Sequence, residues 1–165
     1  MRITNMKSIN AKVIRGYRLS SGNSPADTRF PGGTLHLQLP CFAAAGFDVE
    51  RYFEGDFVRG TLNLSVAPAA VRLMKPEIFL ADIKWSPVFP AENFYLSEAQ
   101  ILHQDITYRA LLYIPDPATK IDHFQAPSVI EVIARPVAGL RYDEETTLIY
   151  NPEAIAIEPG RDNAG

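Results

Sequence analysis

Apolar and polar residues alternate with a period of two along most of this chain. That period belongs to strands with one buried face. AKVIRGY (11–17) reads as a first strand. In GTLHLQLP (33–40), Leu35, Leu37 and Leu39 face one way and Thr34, His36 and Gln38 the other. In GTLNLSVAP (60–68), Leu62, Leu64 and Val66 oppose Thr61, Asn63 and Ser65. Further strands are predicted at 78–85, 94–102, 106–115, 128–134 and 146–150, with another at 154–158. Helical pattern is confined to FAAAGFDVERYF (42–53) and PAAVRLMKP (68–76). The reading is an all-β fold. One β-barrel domain of six to eight strands with short helical insertions fills 1–158, and 159–165 form a flexible polar tail. Both leucine rows are expected against one core. The echo between GTLHLQL and GTLNLSV has two readings: two similar amphipathic strands, or two polar faces lining one concave site.

Composition narrows the class. The 165 residues are 47% hydrophobic and 21% charged, which excludes a disordered chain. The charge sums to 16 − 19 = −3, so no basic excess is available for a nucleic-acid backbone. Thirteen prolines leave little room for long helices. The single cysteine, Cys41, permits no internal disulfide and reads as a small buried hydrophobe. The first residues hold no continuous apolar run, and no stretch approaches a membrane span, so a cytoplasmic protein without membrane partners is expected.

Several chemistries are missing. GDFVRGT (55–61) has the glycine spacing of a phosphate-binding loop, but it lacks the lysine and precedes a strand. There is no G-x-S-x-G elbow. His36, His103 and His123 are far apart and form no zinc spacing.

Three ordered blocks resemble one family. GTLNL (60–64), the late segment VIEVIARPVAGLRYDEETTLIY (129–150) and the opening strand AKVIRG (11–16) are similar to the archaeal CTP-dependent riboflavin kinases, which are cradle-loop barrels. The resemblance spans most of 11–150. It implies Mg²⁺ held by Thr61 and Asn63, whose spacing of two puts both on one strand face. It implies CTP or another nucleoside triphosphate as donor, contacted by Gly16, Tyr17, Arg18, Ser20, Ser21 and Gly22 after the first strand and by Leu140 and Arg141. It implies a small-molecule acceptor, riboflavin or a relative, contacted by Glu131 and by His123, which stands where the family has threonine. By alternation alone, Glu131 either faces solvent or is buried beside a partner. His123 is either a loop histidine satisfied by its neighbours or a ligand contact.

The departures are specific. The loop from Gly16 is longer than the family's, and its Ser20, Ser21 and Asn23 either bind phosphate or make turns. One extra residue lies near Pro136, and KWSPVFPAENF (84–94) is an insertion. Asp48, Glu54 and Asp56 precede the metal strand, but none is assigned as a general base. Three functions fit: nucleotide-dependent phosphorylation of a small molecule; a barrel that binds flavin, nucleotide or sugar without turnover; or an interaction domain sharing only the fold.

Overall fold

The computed structural model describes residues 5–15, 33–119 and 126–160. Its elements are β1 (Lys7–Ile14), α1 (Leu35–Ala45), α2 (Val49–Tyr52), β2 (Leu62–Ser65), β3 (Ala70–Leu73), β4 (Ile78–Ile83), β5 (Glu92–His103), β6 (Ile106–Pro115), β7 (Val129–Ala134), β8 (Glu145–Tyr150) and β9 (Ile155–Glu158). A closed antiparallel barrel runs β5-β6-β7-β2-β1-β8 and back to β5. The length of β5 makes closure possible. One edge pairs with β6 throughout, while the other is shared: Glu92–Leu96 pair with β4 and Ala99–Leu102 pair with β8. β4 is thus an extra strand outside the barrel, and β3–β9 form a separate ribbon. The all-β barrel with short helices expected from alternation is what the chain forms. No helix among the described residues is long and apolar enough to cross a membrane.

Two apolar cores form. Val13, Leu64, Ile101, Leu112, Val132 and Leu148 fill the barrel interior. A second cluster lies on its outer wall, where Phe94, Leu96, Leu111, Tyr113 and Ile133 are covered by Leu35, Leu39 and Phe42 of α1 and by Val49 of α2. Successive β6 residues therefore point into different cores, which is why Ala110–Tyr113 form an unbroken buried run. The insertion at 84–94 joins the outer layer through Trp85 and Phe89, whose rings meet edge to face at 5.8 Å.

Two local expectations fail. GTLHLQLP is the start of α1, not a strand. Leu35, Gln38, Leu39 and Phe42 are its buried residues, spaced i, i+3, i+4 and i+7. Leu35 and Leu39, four apart, fit both periods, while Leu37 fits only the strand's. Pro40 lacks the N–H a helix needs, yet burial of the face and the alanines at 43–45 override it. Gly46, at φ 119°, ends the helix, and the Gly46 and Phe47 N–H groups donate to Ala43 and Phe42 carbonyls. The helical reading of 68–76 also fails: β3 is a strand because Val71 pairs with Ile157, a partner no local window contains. The leucine rows accordingly split. Leu64 and Val66 lie in the barrel interior, Leu35 and Leu39 in the outer layer. Among the described residues the first strand is Lys7–Ile14; positions 16 and 17 of the expected span lie outside them.

Candidate functional site

β2 lies between β1 and β7, so the three blocks of the family resemblance become adjacent strands. Asn63 pairs with Glu131 across β2–β7, and Ile14 pairs with Asn63 across β1–β2. Leu64 and Val132 point into the barrel. Their neighbours Asn63 and Glu131 therefore point to the outer wall, the side taken by Ile133 and Tyr113. Just before β2, the Thr61 hydroxyl donates to Glu131 Oε1 at 3.0 Å. Thr61, Asn63 and Glu131 thus share one face. Asn63 is only 4% exposed. It is not the solvated edge residue that a polar strand face suggests, and truncating it costs stability as well as any ligand contact.

Glu131 lies at the wall of a pocket of about 310 Å³, whose sides include Leu73, Tyr113, Ile114, Val129 and Ile155. This carboxylate is half-buried and accepts from Thr61, so it is neither a solvent-facing nor a fully buried residue. The buried Tyr113 hydroxyl donates to Gln38 Oε1 at 2.7 Å. Burial pushes its pKa well above the ordinary 10.0, and the charges of Glu131 and Glu92 push the same way. Tyr113 escaped the sequence reading, and Gln38 was misplaced by it. Tyr113 sits in an apolar run, and Gln38 was placed on the polar face of a strand that is a helix. The polar face imagined for Thr34, His36 and Gln38 does not exist: Thr34 and Gln38 are buried while His36 is exposed.

A second pocket, of about 320 Å³, joins Gly60, Thr61, Leu62, Leu140 and Tyr142. Leu140 therefore reaches Thr61's surroundings. Arg141 does not line this pocket; its side chain is 82% exposed, with Nε 4.0 Å from Glu144 Oε1. Gly16, Tyr17, Arg18, Ser20, Ser21, Gly22 and His123 lie outside the described residues. Asp48 caps α2 by accepting from the Arg51 N–H at 3.2 Å. His103 is buried with Nδ1 3.0 Å from Thr146 Oγ1. Cys41 is half-buried against the outer layer.

Among the described residues, no three His, Cys, Asp or Glu side chains gather as a metal site. The set on the Thr61 face is a hydroxyl, an amide and a carboxylate, all hard oxygen donors. That chemistry suits Mg²⁺, which takes few protein ligands and completes its shell with water and phosphate.

The buried tyrosines set an alkaline limit. Tyr52, like Tyr113, has its pKa raised chiefly by burial, with Glu98 adding to the effect. In the unfolded chain both ionise near 10, while in the fold they stay neutral. Their contribution is complete below that pH and is lost as pH rises toward the folded values. Stability is expected to fall above about pH 10 by up to about 1.4 kcal/mol per pH unit for each tyrosine. Urea midpoints measured from about pH 9 to 11 check this, and Tyr113→Phe should flatten the decline.

In comparison with known proteins, the chain matches no family model, and no curated sequence matches it.

Proposed function

We propose that this barrel is a riboflavin-kinase-like transferase. It would move a phosphoryl group, with Mg²⁺, from a nucleoside triphosphate such as CTP to a hydroxyl of riboflavin or a related small molecule. One observation carries the reading: Thr61 and Asn63 from the GTLN block and Glu131 from the late block share one outward face, with Thr61 bonded to Glu131. Thr61 and Asn63 would hold the metal, which would supply positive charge to offset that of the phosphate groups. Glu131 accepts hydrogen bonds at the edge of an apolar pocket, so it would orient a flat acceptor bearing N–H or O–H groups. The apolar walls exclude water from the transferring group, and positioning supplies much of the rate. A cytoplasmic location would fit such nucleotide chemistry.

Binding without turnover is a second reading, and a specific observation favours it. Among the described residues Glu131 is the only carboxylate lining its pocket, so no second acid stands there as a base. Incubation with riboflavin, Mg²⁺ and CTP, ATP or GTP, followed by chromatography for phosphorylated flavin, separates the two. The transferase reading expects product with at least one donor. Nucleotide binding with no product selects the binding module.

A further inference from the structure

We infer that Arg109 and Arg135 form an oxyanion site, built for a phosphate group, with Glu54 as an internal counter-ion that the phosphate displaces. Ala110 and Ala134 pair across β6–β7 and point into the barrel. Arg109 and Arg135, one position away, therefore rise side by side on the outer wall, and the Arg135 N–H donates to the Arg109 carbonyl at 3.2 Å. Both line an open groove of about 1130 Å³. Arg135 also lines the smaller pocket that holds Thr61. It sits beside Pro136, where the chain carries one residue more than the kinases it resembles.

The hydrogen bonding points to a missing acceptor. One oxygen, Glu54 Oε1, accepts from Arg135 Nη2 at 3.1 Å and lies 3.5 Å from Arg109 Nη1. An atom held between two guanidinium groups marks where one phosphate oxygen would sit. Arg109 Nη1 also donates to the Tyr52 carbonyl at 2.7 Å, and its guanidinium lies 5.5 Å from the Tyr52 ring centroid, which fixes its plane. Arg135 Nε is buried and has no hydrogen-bond partner among the described residues. A buried guanidinium N–H left unmade is costly. A tetrahedral oxyanion offers enough oxygens to occupy Nε and the bridging position together, which Glu54 does not do.

Glu54 is suited to leave. Its side chain is 73% exposed. Its backbone, at φ 55°, lies in the left-handed region that side-chain-bearing residues rarely adopt. With Glu54 in place the groove's charges balance, Arg51, Arg109 and Arg135 against Glu54, Asp56 and Glu98; once it swings away, three cations face two carboxylates. Asp56 Oδ2 lies 4.0 Å from Arg135 Nη1, at the limit of an ion pair. Anion affinity is therefore set by how readily Glu54 gives way.

Calorimetric titration with inorganic phosphate, and separately with CTP, tests this on the wild type and on folded variants checked by melting. Glu54→Gln should tighten inorganic phosphate by about tenfold, and Arg135→Gln should weaken it by about as much. Arg109→Gln provides a second loss variant if Arg135→Gln fails to fold. The same two shifts seen with CTP but not with inorganic phosphate support the site and make the nucleotide its phosphate source. Unchanged affinity for both ligands in Glu54→Gln or in Arg135→Gln would overturn the inference.

Discussion

Phe94→Ala is expected to lower the free energy of unfolding by about 3–5 kcal/mol, the largest stability loss of any substitution considered. Phe94 is fully buried in the layer between α1 and the outer wall of the barrel. Its ring meets Phe42 of α1 edge to face at 4.9 Å and Tyr113 of β6 at 5.7 Å. Removing it leaves a cavity walled by a helix on one side and by paired strands on the other. The strand wall cannot move inward without breaking ladder bonds, and the helix cannot settle without disturbing the other side chains it packs on, so little relaxation offsets the lost contacts. A urea titration should show a lower midpoint with an unchanged slope. Phe79→Ala is the matched control. Phe79 is 51% exposed and stacks on Tyr95, so its loss should cost well under about 1 kcal/mol.

The largest functional effect is expected for Asn63→Ala. Nucleotide affinity measured with Mg²⁺ should fall by about 10- to 100-fold, the scale of a lost contact to a charged group. Because Asn63 is buried, the variant should also lose about 1–3 kcal/mol of stability. Affinity and melting temperature must therefore be read together, at a temperature where the variant is folded. Thr61→Val makes the companion test. It keeps the shape but removes the hydroxyl that donates to Glu131, and it should weaken nucleotide binding with a smaller cost to folding.

Strands that alternate without competition were legible from sequence. β6 appears at the residues where alternation placed it, and β5, β7 and β8 differ from their predicted spans by no more than two residues at any end. Legibility failed where two periods coincide, as in the leucines that open α1, and where the partner is remote, as for β3. The second core was invisible for a related reason. A residue such as Leu111 reads as apolar on either face, and only the placement of α1 decides what covers the outer one. In the candidate site, Thr61, Asn63 and Glu131 were legible because a motif marked them. Arg135 and Tyr113 were not. Their roles come from strand pairing and burial, and neither leaves a local signature.

The most direct measurement is a calorimetric titration of CTP into the 165-residue chain with and without Mg²⁺, repeated with ATP and GTP. If Thr61 and Asn63 form a metal-dependent phosphate site, at least one nucleotide binds with Mg²⁺ and its affinity collapses when the metal is chelated. Equal binding with and without Mg²⁺, or no binding of any of the three, would contradict that claim.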